Sequence, residues 1–211
     1  RLDSLPLESA EELLHGLLGT DASVQPLREL LITRTEGNPF FLEESVQSLL
    51  ETRVLVGERG TYRLEKGAES IQVPATVQAV LAARIDRLSS EDKRLLQCAA
   101  VIGKDVSFVL LQAIADVDEE AVRRGLMNLQ TMEFLYEMSL FPDLEYTFKH
   151  ALTHEVTYGG LLQERRRGLH ARIVTGIETL YRDRLGEEVE RLGHHALKRE
   201  LREKAVHYLR Q

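Results

Sequence analysis

Leucines return every three or four residues in three successive stretches at the start of the chain, each bounded by residues suited to a helix end. In ESAEELLHGLLG (8–19), Leu13, Leu14, Leu17 and Leu18 form one stripe behind Ser9 as a cap, with Gly19 as a stop. SVQPLRELLITRTEG repeats the pattern with Leu27, Leu30 and Leu31 and stops at Gly37. A third stripe, Phe40 or Phe41 with Leu42, Val46, Leu49 and Leu50, predicts a helix from Pro39 to about Thr52. Asn38 stands where an N-cap accepts a backbone N–H, and Pro39 takes the first helical position, where a missing donor costs nothing. Gly37 before them permits a backbone angle or a close approach that a side chain would forbid. The corner these residues build pairs a rigid ring with free backbone, a surface against which a flat ligand can pack.

The period then changes. VLVGERGTYRLE (54–65) holds two short β-like runs about GERG, a hairpin signal. Pro74 is expected to start a helix, and the chain beyond it reads as helices Val77 to Leu88 and Ser90 to Ile102, the second capped by Ser89 or Ser90 with Glu91 and Asp92 in its first turn. Helices in SFVLLQAIAD (107–116) and DEEAVRRGLMNLQTM (118–132) precede EFLYEMS and LEYTFKH, two β-like runs about LFPD, a candidate hairpin over 133–149. Three helices and a hairpin predict a winged helix-turn-helix. HALTHEVTYGGL, QERRRGLHARIVTGIETLYRDRL, GEEVERLGHHALKRE and LREKAVHYLRQ read as helices, the last two as an αα-hairpin opening a repeat array, with Ala196 and Ala205 where such helices pack closely. The expected fold class is therefore mainly α. It comprises a helical lid domain with a β-hairpin over 1–70, a winged-helix domain over 71–149, and a helical region over 150–211 leading into TPR-like repeats.

Composition removes some function classes. The chain is 43% hydrophobic and 29% charged, ordinary for a globular protein, and its formal charge of −7 supplies no global field toward nucleic acid or anionic lipid. Its one cysteine, Cys98, excludes an internal disulfide and suits a reducing compartment, so a cytoplasmic location is expected. Lying in the apolar run LLQCAAVIG, Cys98 reads as a packing residue rather than a nucleophile. No apolar run is long enough to predict a membrane span, and no basic-then-apolar leader is present. The opening RLDSLPLES lacks an initiator Met, and the chain is expected to be cut from something longer.

The chemistry-bearing motifs are mostly missing. There is no G-x-x-x-x-G-K-[ST] loop, no G-x-G-x-x-G turn, no G-x-S-x-G elbow and no H-E-x-x-H helix, so this stretch cannot by itself cradle and hydrolyse a triphosphate. Asp116 ends the apolar run VLLQAIAD, whose leucine spacing suits a helix better than a metal-bearing strand. His150 and His154, four apart beside Glu155, would share a face on one helix. No third ligand sits nearby, His194 and His195 point to different faces, and no metal site is expected. Arg165, Arg166 and Arg167 come directly after Glu164 and read as a solvated or interdomain ion-pair face. The candidate recognition helix opens on Asp118, Glu119 and Glu120 with only Arg123 and Arg124 in compensation, the wrong sign for phosphate backbone.

TEGNPFFLEESVQSLLE, VPATVQAVLAARIDRLSSEDKRLLQCAAVIG and YTFKHALTHEVTYGGLLQERRRGLHARI together resemble the C-terminal half of bacterial STAND signal-transduction ATPases. The likeness is greatest to large AAA-type predicted ATPases that carry a class III adenylate/guanylate cyclase domain ahead of the ATPase and helical repeats behind it. It runs over nearly the whole chain. The resemblance implies a P-loop core followed by a helical lid, a winged helix and a repeat array, with Arg1 to about Pro6 as the exit from the core. It implies that Gly37, Asn38 and Pro39 are the family's G-x-P element, whose proline packs beside adenine. It also implies that His150, in FKHAL, is equivalent to a histidine that touches the β-phosphate of ADP in related switch ATPases. Arg34, just before the G-N-P step, offers charge to a phosphate or serves as a surface residue.

The expectation is thus a non-catalytic, regulatory part of an ATP/ADP-dependent switch that controls a fused output, a nucleotide cyclase. ATP or ADP with Mg²⁺ belongs to the parent, and none is expected to bind tightly to this stretch alone. Its partners are the P-loop core and output domain of the same chain, and a protein docking on the repeats, with neither DNA nor membrane expected. The alternatives are a DNA-binding winged-helix regulator and a helical scaffold that has lost nucleotide sensing.

Overall fold

The computed structural model describes residues 4–65, 71–139 and 144–198, and the chain forms two compact units, Arg1–Arg84 and Ile85–Gln211. The three-part expectation, with boundaries near 70 and 149, partitions the chain differently and more finely. The turn at 140–143, the helix expected at 201–211 with Ala205, and the first three residues lie outside the described residues.

The first unit contains α1 (Leu7–Leu18), a 3-10 turn at Ala22–Val24, α2 (Gln25–Thr35), α3 (Pro39–Glu51), β1 (Leu55–Val56) and β2 (Arg63–Leu64). The three expected stripes meet in one core: Leu14, Leu18, Leu27, Leu31 and Leu42 are fully buried in one cluster. Each such side chain contributes about 1.5–3 kcal/mol relative to exposure. Ser9 is not the cap of α1. The helix begins two residues earlier behind Pro6, whose carbonyl accepts from Ala10 N–H at 3.0 Å. The antiparallel hairpin pairs Leu55 with Leu64 and Val56 with Arg63. Its turn lies on the C-terminal end of α1, with Gly60 N–H donating to Leu17 O at 2.9 Å. Gly19 makes this approach possible: at φ +86°, a Cβ there would sit 1.9 Å from Gly60 O.

α4 (Val77–Arg87) begins in the first unit. Pro74 does not start it. The Thr76 hydroxyl instead accepts from Ala79 N–H at 3.2 Å, a side-chain cap that proline cannot make.

The second unit continues with α5 (Ser90–Ile102), β3 (Asp105–Ser107), α6 (Phe108–Ala115), α7 (Glu119–Thr131), β4 (Leu135–Ser139), β5 (Glu145–Phe148), α8 (Ala151–Gly159), α9 (Gln163–Leu180), a 3-10 segment at Arg182–Glu187 and α10 (Val189–Lys198). Ser89, Ser107 and Asp118 cap α5, α6 and α7 through their side-chain oxygens. The sheet is antiparallel in the order β3-β5-β4, so β3, for which the sequence pattern predicts no strand, pairs with the far arm of the expected hairpin. α5 is the central helix, touching α6, α7, α8 and α9, and its Leu96 and Ala99 share a hydrophobic core with Leu110, Leu126, Phe134 and Ile173. The architecture is mainly helical with two small antiparallel sheets. No described helix is long and apolar enough to cross a membrane.

Candidate functional site

The Gly-Asn-Pro corner is built by two consecutive left-handed residues. Thr35 ends α2, Glu36 takes φ +51° and Gly37 takes φ +74°, which reverses the chain before α3. A non-glycine residue in this region is strained, so Glu36 is held there by its surroundings. Those surroundings are specific. Leu5 N–H donates to Gly37 O at 2.9 Å, Asn38 N–H to Thr35 O at 3.0 Å, and Leu42 N–H to Asn38 O at 2.9 Å. Asn38 Oδ1 accepts from Phe41 N–H at 3.0 Å, the expected N-cap, and Pro39 occupies the first helical position.

The glycine is needed because a Cβ at Gly37 would lie 2.6 Å from Leu5 O. The space beside its Cα is therefore filled by the chain's own backbone. Asn38, Pro39 and Phe40 are half-buried there, and Phe41 is buried. Arg34 is exposed on the last turn of α2. Gly37, Asn38 and Pro39 thus form one locally bonded feature, with Arg34 nearby in sequence and the half-buried Pro39 ring at its edge.

Sequence reasoning missed the polar cluster that fixes the helix behind this corner. Arg84, 1% exposed, donates from Nε to Glu51 Oε1 at 2.7 Å and pairs through its terminal nitrogens with Glu44 and Glu51. The carboxylates are 4% and 11% exposed. Burial alone would lower the Arg84 pKa, but the Glu51 hydrogen bond and both carboxylates outweigh it and hold the guanidinium ionised. A signal was present: Val77, Val80, Leu81, Arg84 and Leu88 lie on one helical stripe, so Arg84 occupies a core position and implies buried acids.

His150 belongs to the second unit. It is the N-cap residue of α8, half-buried, with extended backbone at φ −136°, ψ 141°. It therefore does not share a helical face with His154, contrary to the premise of the chelating pair. His154 Nε2 lies instead 2.9 Å from Ala100 O, with its ring between Phe148 and Tyr158. Burial, reinforced by Lys149 and opposed by Glu133, pushes the His150 pKa down and favours its neutral imidazole. Among the described residues no group of three or more His, Cys, Asp and Glu is arranged to hold a metal ion.

Three other sequence features receive definite places. Arg166 is not on a solvated ion-pair face: its guanidinium closes the end of α8, donating to Tyr158 O at 2.8 Å and lying 4.2 Å from the Tyr158 ring centre. Asp116 is the left-handed cap of α6, on the surface 3.7 Å from Arg172. On α7, Glu119 and Glu120 pair one turn on with Arg123 at 2.7 Å and Arg124 at 2.9 Å. Burial also raises the Cys98 thiol, which leaves it protonated and inert at neutral pH.

Residues 6–63, the span of α1 to the β1–β2 hairpin, are similar to a family described as a domain of unknown function (DUF8739). No curated protein matches the chain.

Proposed function

We propose that this chain is the regulatory, non-catalytic part of an ATP/ADP-dependent signal-transduction switch of the STAND type, acting with a P-loop core and a nucleotide-cyclase output in the same polypeptide. In this reading α1–α3 are the lid, and the Pro39 ring packs beside the adenine of a nucleotide held chiefly by the core. α5, α6, α7 and the β3-β5-β4 sheet form a winged helix. His150 at its end supplies a neutral donor to phosphate, and the helices from α8 onward lead toward TPR-like repeats. Exchange of ADP for ATP changes which lid and winged-helix contacts the core makes, and a protein partner on the repeats biases that exchange.

The observation that carries the reading is the overdetermined corner. Two left-handed residues, a glycine pressed onto Leu5 and an asparagine cap hold Pro39 in one orientation. A helix start as such needs only the cap; fixing the ring as well suits a surface that must meet a flat ligand the same way each time. The DNA-binding reading gains no support, because the arginines of α7 are already paired with its own acids. The scaffold reading makes no use of the corner.

The test is calorimetric titration of ADP into the polypeptide that joins this chain to its nucleotide core. Pro39→Ala, which keeps the helix start, is expected to weaken ADP about tenfold, or ~1.4 kcal/mol. Unchanged affinity would remove Pro39 from the nucleotide site, and ATP hydrolysis by the isolated 211-residue chain would refute the non-catalytic assignment.

A further inference from the structure

α9 and α10 are joined by two imidazoles. His170 on α9 and His195 on α10 are 1% and 3% exposed, and their Nδ1 atoms lie 2.8 Å apart. At that distance one nitrogen must carry a proton and the other must lack one, so the bond exists only while at least one ring is neutral. The second nitrogen of His170 is engaged as well, 3.1 Å from the Tyr158 hydroxyl on α8. Around the pair α10 buries Leu192 and Ala196, with Val189 partly buried against the same core, and His195 is buried among them.

The groups that face the pair make its charge sensitivity one-sided. His170 is met by Tyr158 from α8, Arg166 from its own helix, and His194, His195 and Lys198 from α10. His195 is met by His170 from α9 and by His194 and Arg191 from α10. The nearby carboxylate, Glu188, is paired with Arg191 at 2.9 Å. Among the described residues named here, none is an anion placed to compensate a proton arriving on either ring.

We propose that the α9–α10 contact is an acid-released latch: α10 docks while His170 and His195 share one hydrogen bond, and protonation of both rings, which leaves neither Nδ1 able to accept, undocks it, uncovering the apolar face of Leu192 and Ala196. Burial, with the neighbouring cationic and imidazole groups, lowers His170 to about 4 and His195 to about 3 in the docked state. Released, both return toward about 6.5. The undocked form therefore binds more protons. Docking is at full strength above about pH 6.5 and is lost as pH falls toward the docked-state values. With two sites, the docking equilibrium falls about a hundredfold between pH 7.5 and 5.5. This holds independently of the nucleotide reading, because it needs only groups within the second unit.

Hydrogen exchange of the whole chain, tracked by mass spectrometry and expressed as protection relative to the intrinsic rate at each pH, tests the latch. The expected result is a loss of protection in peptides covering 189–198 as pH falls from 7.5 to 5.5, while α5 stays protected. His195→Asn, whose side-chain amide can replace Nδ1 but cannot titrate, should flatten the response. Should that variant fail to dock, imidazole proton resonances of the native chain decide: a docked species whose two buried histidines stay neutral below pH 5 supports the latch. Constant protection of α10 across this pH range would overturn it, as would titration of both rings near pH 6.5 in the docked species.

Discussion

The two units each bury polar groups, but they do so in opposite ways. The first takes a full charge inside and answers it: Arg84 is flanked by Glu44 and Glu51, which hold its guanidinium ionised. The second takes titratable rings inside and pairs them with each other, with cationic groups as the charged neighbours named among the described residues, so His170 and His195 are held toward the neutral form. A compensated ion cluster is fragile to losing a member and indifferent to modest pH change. An uncompensated imidazole pair is the reverse, robust near neutrality and sensitive below it. Rigidity near the Gly-Asn-Pro corner and responsiveness at α10 thus come from the same constraint, that a buried polar group needs a partner, met in two ways.

The largest expected effect comes from breaking the ion cluster. Arg84→Leu removes the buried cation shared by Glu44 and Glu51 and is expected to cost about 3–5 kcal/mol, read as a lower urea midpoint. Replacing Glu44 and Glu51 with leucine in the same chain should recover most of that loss, since an apolar trio needs no compensation. Failure of the triple variant to recover would mean that the shape of the cluster, rather than its charge, holds α3 and α4.

Gly37→Ala comes next. Its left-handed backbone alone carries a penalty of about 1–3 kcal/mol. The 2.6 Å approach to Leu5 O adds to it unless the segment at Leu5 moves. Faster hydrogen exchange at Leu5, whose N–H is bonded to Gly37 O, would report that movement. Asn38→Ala is smallest, about 1 kcal/mol for the lost bond to Phe41 N–H, and should not alter the chain path, because Pro39 and the Asn38 carbonyl still start α3. A similar loss for both variants would show that the cap, not the glycine, fixes the corner.

Much of this was legible from local signals. The stripes of α1, α2 and α3, the stops at Gly19 and Gly37, the cap by Ser89 and the hairpin about GERG all depend on residues within a few positions of each other. The features that escaped depend on distance along the chain. β3 is three residues long, too short for a period, and exists because β5 lies beside it. Arg84 lies on the apolar stripe of its helix, a sign of burial, but only the fold places Glu44 and Glu51, far back in sequence, against it. His170 sits in the stripe Leu169, Ile173 and Val174, a sign of burial, but only the packing of α10 supplies its partner. The site shows the same division: the form of the corner is set by Gly37, Asn38 and Pro39, whereas the role of Leu5 in demanding the glycine is not visible in that local pattern.

The central proposal is that this corner touches nucleotide, and hydrogen exchange of a polypeptide carrying both this chain and the proposed P-loop core tests it most directly. With saturating ADP, amides from Gly37 to Leu42 are expected to exchange more slowly than in the nucleotide-free protein. ADP bound at saturation with no change across that segment would contradict the account.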